Sequence, residues 1–122
     1  MKKAKEVVEW IVESARKLEK TARDRMSEYW AALRDGEYLK AHNCAVGARS
    51  DCAAALAVLI LAFQLTEAPE LRDEQVHEIA RLHGILVSEW EDSLHAIEDS
   101  LSLLMEKALW KCDKKGAEND DR

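Results

Sequence analysis

Apolar and small residues recur at steps of three and four along two long segments of this chain, which is the spacing of one face of an α-helix. In residues 3–34 the stripe consists of Ala4, Val7, Val8, Ile11, Ala15, Leu18, Ala22, Met26, Tyr29 and Leu33. In residues 76–108 it consists of Val76, Ile79, Ala80, His83, Leu86, Val87, Trp90, Leu94, Ile97, Leu101, Leu104 and Ala108. The second stripe continues for more than four heptads, which favours near-parallel packing with the left-handed supercoil of a coiled coil.

Between these two segments lies a stretch that is apolar on every side. No charged or amide side chain interrupts residues 52–63, so a helix here has no face suited to water, and we expect other helices to enclose it. The stretch is shorter than the ~20 residues that a membrane-spanning helix needs. Arg49 and Asp51 are the nearest charges before it, and we expect each to reach solvent or to pair with a neighbouring helix.

Two breaks divide the pattern into three helices. Gly36 can take the left-handed conformation that ends a helix, and Asp35 beside it can cap the next one. Pro69 cannot continue a helix but is accepted in a first turn. We therefore predict an all-α fold, an up-down-up bundle of three long helices, in which the second runs from about 37 to 65.

The third helix is the longest element, and its end sets the limit of the domain. Gly84 or the region 100–102 could bend it or break it into two. We predict a single helical-bundle domain over 1–112 and a polar, frayed tail over 113–122. The content of only four Gly and one Pro agrees with a protein made of long helices.

The cysteines and the N-terminal residues bear on the compartment. Three cysteines, Cys44, Cys52 and Cys112, form an odd set, and the first two are too far apart along one helix to be bridged. Charged residues occur throughout the first seventeen positions, where a signal peptide would need an apolar core. We therefore expect a soluble cytoplasmic protein with reduced thiols, without membrane partners.

The charge distribution points to the kind of partner. The net charge is −6, which argues against direct binding of nucleic acid through phosphate contacts. Residues 1–35 carry nine positive and seven negative side chains, whereas 69–112 carry four and ten. In an up-down-up bundle the first and third helices lie side by side, so a faintly basic helix faces an acidic one.

One run of carboxylates on the third helix is a candidate binding surface. No positive side chain lies between Arg81 and Lys107. The run could serve only for solubility, or it could dock on a basic protein surface. The carboxylates are Glu89, Glu91, Asp92, Glu98 and Asp99.

The end of the third helix is a second candidate surface. If straight, this helix overhangs the first hairpin, and exposed apolar ends of this kind mark partner surfaces. The residues concerned are Leu103, Met105, Leu109 and Trp110. Trp10 and Trp30 also lie at stripe edges, where aromatic anchors of interfaces occur, while Trp90 falls in the core stripe. We expect a homo-oligomer closed through this end.

Metal-binding or catalytic groups form only partial sets. Glu74 and His77 have the Glu-x-x-His spacing of di-iron bundles, but no second pair occurs. Asp92, His95 and Asp99 share one helical face and could hold a divalent metal, although no ligand from another helix can be named. We expect no cofactor and no resident metal.

Two local resemblances supply the alternative function. The turn Gly36-Glu37-Tyr38-Leu39-Lys40-Ala41 looks like that of a tetratricopeptide unit, but no 34-residue repeat follows. The same turn, with alanines at 41, 48 and 55 and an early histidine in the third helix, is similar to the three-helix lactose/cellobiose-type IIA phosphocarriers. That resemblance implies a phosphoryl group on His77, yet Ala80 stands where the family has an acidic residue.

These observations favour a non-catalytic, self-associating interaction protein of the adaptor or inhibitor type. It would bind a protein partner through the acidic face and the apolar helix ends. The alternative is a histidine phosphocarrier or a metal-dependent enzyme that uses His and Asp residues of the third helix.

Overall fold

Three helices make up the described part of the chain. The computed structural model describes the backbone of residues 2–65 and 73–120 and the side chains of 5–64 and 74–108. The helices are α1 (Lys2–Arg34), α2 (Tyr38–Leu65) and α3 (Asp73–Asp120), and these ranges contain no strand. They pack against one another, with α2 in contact with both neighbours. The prediction of an all-α, three-helix bundle is confirmed.

The helix α3 is continuous. It passes Gly84 and the region 100–102 without interruption and runs to Asp120, so the break into two helices that the sequence allowed does not occur. Side chains beyond Ala108 lie outside the described residues. The division into a domain over 1–112 and a frayed tail over 113–122 therefore stays a prediction.

The hairpin between α1 and α2 is closed by a Schellman motif. Gly36 has a φ of 75°, and its amide donates to the carbonyl of Leu33 while the amide of Glu37 donates to that of Ala32. These two bonds satisfy the last carbonyls of α1. The amide of Ala41 donates to the carbonyl of Glu37, so Glu37, rather than Asp35, is the cap residue of α2.

The inner face of α2 is built almost entirely of small side chains. Its buried positions alternate at steps of four and three, and all are fully inaccessible to solvent: Ala41, Ala45, Ala48, Cys52, Ala55, Leu59 and Ala62. Side chains of this size allow α1 and α3 to pack close to the backbone of α2. Leu59 is the largest side chain among these buried residues.

The outer face of α2 is not enclosed, contrary to the expectation from its composition. Val46, Ile60 and Leu61 are all about half exposed. The stretch 52–63 by itself is too short to span a bilayer, but the longer segment Tyr38–Gln64 is long and apolar enough to do so by length and composition alone, with a mean hydropathy of 1.7. Only 28% of its most apolar window is buried in the bundle. The two flanking helices cover its inner face and leave the opposite one open.

The two glycines at 84 and 36 should respond in opposite ways to alanine. A Cβ at Gly84 would meet nothing within 4 Å, so Gly84→Ala should raise the free energy of unfolding by about 0.5–1 kcal/mol through helix propensity. Gly36→Ala should lower it by about 1 kcal/mol, because φ is positive there. Urea unfolding monitored by circular dichroism measures both. A destabilised Gly84→Ala variant would contradict the open space around Gly84 in a continuous helix.

Candidate functional site: the groove between α1 and α3

Ion pairs join α1 to α3. Arg16 Nη2 lies 2.6 Å from Glu78 Oε1, and Arg23 Nη2 lies 3.5 Å from Glu89 Oε1. Glu78 is also bound by Arg81 at 2.7 Å. Hydrogen bonds from Arg81 and then from Arg16 lower the pKa of Glu78 to about 2. The contacts run from basic α1 to acidic α3, which is the direction that the charge distribution predicted.

A groove opens between α1 and α3 beside the second of these ion pairs. It encloses about 470 Å³. Its lining consists of Arg23, Met26 and Trp30 from α1 and Glu89, Asp92, His95, Ala96 and Asp99 from α3. We call it the α1/α3 groove. The indole of Trp30 is 57% exposed, so an aromatic surface lies beside three carboxyl groups.

The position of Trp30 follows from its neighbour in the core. Tyr29 is buried, and its hydroxyl donates to the carbonyl of Ala96 at 3.4 Å. The rings of Tyr29 and Trp30 meet edge to face with centroids 4.9 Å apart. Burial of Tyr29 therefore sets the rotation of α1 about its axis and holds Trp30 at the mouth of the groove.

Glu89 is a partly buried acid of the groove with a raised pKa. Burial, followed by the neighbouring carboxylate of Glu19, raises its pKa to about 7, although Arg23 acts in the opposite direction. Arg23 also pairs with Glu19. Glu89 Oε2 is buried without a donor among the described residues. When Glu89 carries a proton it can donate a hydrogen bond to Glu19, which relieves both the burial and the repulsion.

The structure divides the five carboxylates of the predicted acidic surface. Glu89, Asp92 and Asp99 line the α1/α3 groove. Glu91 and Glu98 are exposed elsewhere on α3, and Glu98 lies 3.7 Å from His95 Nδ1. The sequence predicted one binding surface for all five, whereas three of them border α1.

The predicted apolar end of α3 is described only in part. Leu103 is half-buried and lines a small groove with Tyr38, whose ring lies 4.8 Å from Lys107 Nζ. Met105 is exposed. The side chains of Leu109 and Trp110 lie outside the described residues. Binding through this end stays a prediction.

Arg49 and Asp51 of α2 form the polar contacts that the sequence predicted. Asp51 Oδ2 accepts a hydrogen bond from Arg25 Nε at 2.7 Å, which links α2 to α1. Arg49 lies over the ring of Trp90 at 4.6 Å from its centroid, which links α2 to α3. Trp90 itself is partly buried against the core. Both charges are thus directed to the sides of α2.

The metal-ligand sets that the sequence suggested are not assembled among the described residues. His77 and Glu74 are exposed, and the described residues contain no cluster of three or more His, Cys, Asp or Glu that could hold a metal ion. Burial, with the nearby charge of Glu89, raises the pKa of Cys52 to about 12. This thiol is therefore protonated and unreactive at neutral pH.

The α1 side of the groove was not identified from sequence. The sequence pattern places Met26 in the apolar stripe and Trp30 at its edge, and it assigns no role to Arg23. The three residues lie at i, i+3 and i+7, so they share one helical face. That spacing is the signal that could have found them, but it does not by itself name the helix they face.

Comparison of the chain with protein-family models, with curated proteins and with solved structures found no match. The inference of function therefore depends on the geometry and chemistry of the groove.

Proposed function

We propose that this chain is a non-catalytic binding protein whose α1/α3 groove receives a basic segment of a cytoplasmic protein partner. The observation that carries the proposal is the exposed indole of Trp30 beside the carboxyl groups of Glu89, Asp92 and Asp99 in one groove. A Lys or Arg side chain fits this combination, because carboxylates pair with its charge and the aromatic face packs against its stem.

The shape of the groove favours a helical or extended segment over a small molecule. Two long parallel helices, α1 and α3, form its walls, and an amphipathic helix binds such a groove through residues one turn apart. Asp92 and Asp99 are two turns apart on α3, so they can pair with basic residues spaced along one face of the partner. The same negative lining repels nucleic acid.

A defined probe tests this function. The probe is a fluorescein-labelled amphipathic peptide with Lys and Arg along one face, and fluorescence anisotropy measures its dissociation constant at low and at physiological salt. The variant Asp92→Lys/Asp99→Lys should weaken binding about tenfold or more, because two attractions become repulsions. Trp30→Ala should weaken it further, whereas Trp10→Ala should not.

The matched control is Glu91→Lys/Glu106→Lys, at two exposed residues of α3; Glu98 is avoided because it lies 3.7 Å from His95, which lines the groove. The control variant changes the same number of charges on the same helix but lies outside the groove, so its affinity should stay within about threefold of the wild type. Equal loss in the two double variants would show that only net charge matters and would reject the groove. A peptide with Glu in place of Lys and Arg should not bind either protein.

A further inference from the structure

A separate apolar surface lies on the outer face of α2, away from the α1/α3 groove. Several of its large side chains are exposed, among them Val46 at 45% and Leu61 at 54%. Ala54 and Ala57 are exposed between them, with Asn43, Ser50 and Gln64 as the polar members. From 43 to 64 this face has no exposed charged side chain, in a chain of which 34% is charged.

The absence of charge from this face follows from two side contacts. Arg49 lies over Trp90 of α3, and Asp51 is bound by Arg25 of α1. Both charges within residues 43–64 are thereby directed away from the outer face. A surface that is apolar and free of charge over this length favours a partner surface of the same kind. It offers no charged group that would attract a charged partner.

We propose that a second copy of this chain covers the outer face of α2, in a two-fold dimer whose α2 helices are antiparallel. The sequence of the face is self-complementary in this arrangement. With the axis midway between Ala53 and Ala54, Val46 lies level with Leu61 of the partner subunit. Small residues occupy the centre, where the helices come closest.

The same alignment of the two α2 helices also pairs the polar residues of the face. Asn43 lies level with Gln64 of the partner subunit, so the two amides can hydrogen-bond at each end of the interface. Ser50 lies level with Ala57 of the partner subunit, so the side chains that meet near the axis are both small. Polar groups thus meet polar groups, and apolar side chains meet apolar ones.

The available area is sufficient for a stable dimer. His83 of α3 packs edge to face on Phe63, and Val87, one turn further along α3, is exposed. A contact formed by residues 43–64 of α2 and this edge of α3 is about 33 Å long and about 20 Å wide at standard helix dimensions. The two partners together therefore bury about 1,300 Å², within the range of ~1,200–2,000 Å² of specific interfaces.

A bilayer fits this face less well than a second copy does. The helices α1 and α3 flank α2 and carry exposed charges, including Arg25 and Glu28 on one side and Glu91 and Glu98 on the other. Insertion of α2 would bring these charges to the hydrocarbon boundary or separate α2 from its neighbours, and both are costly.

Light scattering coupled to size exclusion tests the dimer. The wild type should have about twice the 13.8 kDa of the chain at micromolar concentration. Val46→Glu and Leu61→Glu should each raise the dimer dissociation constant by about a hundredfold or more, because each buries two carboxylates across the two-fold axis. Circular dichroism should show unchanged helix content, since both positions are exposed in the single chain.

The matched control is Val7→Glu, at a valine that is 44% exposed on α1, which should remain dimeric. Met105→Glu should also remain dimeric, whereas its dissociation would assign the interface to the end of α3. A wild-type monomer at about 100 µM, or co-flotation of the wild type with phosphatidylcholine vesicles, would overturn the proposal. The groove variants should all remain dimers, so failure of one proposal is distinguishable from failure of the other.

Discussion

Replacing Leu59 by alanine should lower the free energy of unfolding by about 3 kcal/mol, within the range of 2–5 kcal/mol for buried leucines. Leu59 is fully buried and is the bulkiest side chain on the inner face of α2. The alanines that surround it along this face are too short to fill the space that its removal leaves. The cavity therefore persists, and its cost adds to the lost transfer free energy.

Chemical denaturation of Leu59→Ala and of Leu39→Ala, at one protein concentration, measures this effect. Leu39 lies on the same helix but is 64% exposed, so its truncation should cost less than about 0.5 kcal/mol. The two variants share chemistry and helix propensity, and their difference reports burial alone. Equal losses of unfolding free energy in the two variants would mean that α2 is rotated about its axis, so that Leu59 does not face α1 and α3.

The leucines of α2 show how far sequence reasoning reaches. Periodicity predicted α1 and α3 because polar residues mark their solvent-facing sides, and Gly36 predicted the hairpin through its required φ. In α2 no such contrast exists around Leu59 and Leu61, so the pattern cannot say which leucine is buried. The small residues Ala48 and Ala55 were the available signal, since close packing selects them for the inner face.

The candidate site was predictable in part for a related reason. The acidic run on α3 is visible in the sequence, but its division into Glu89, Asp92 and Asp99 on one side and Glu91 and Glu98 on the other depends on where α1 lies. Trp30 completes the groove from α1, and no local pattern connects residues that far apart in the chain. Long-range pairing of surfaces is a tertiary property, which a helical period does not contain.

The stability of this protein should fall as the pH rises from about 5 to about 7, and Glu89→Gln should remove most of that loss. The unfolded chain releases the proton of Glu89 near its ordinary pKa of 4.5, whereas the folded chain keeps it up to a pKa of about 7. Between these values the unfolded state binds fewer protons, so the free energy of unfolding decreases with pH and levels off above the folded pKa.

Glu78 acts in the opposite direction at lower pH. Its pKa is lowered from 4.5 to about 2 by Arg81 and Arg16, so it stabilises the fold above the higher value and loses this contribution as the pH falls toward the lower one. These ion pairs are partly exposed to solvent, so their contribution to the free energy of unfolding is small. The two groups together place the maximum of stability near pH 5.

Thermal unfolding of Glu89→Gln across pH 4 to 9 measures the larger effect. The glutamine side chain carries no charge to bury, and its amide can still donate a hydrogen bond to Glu19. At pH 8 the variant should therefore be more stable than the wild type by roughly 2 kcal/mol, allowing for partial solvation. Near pH 4 the wild type and Glu89→Gln should have equal free energies of unfolding. Glu91→Gln, at an exposed site two residues away, should follow the wild-type profile. Parallel profiles for wild type and Glu89→Gln would mean that the carboxyl of Glu89 is already ionised in the folded protein, and that the proton shared with Glu19 does not exist.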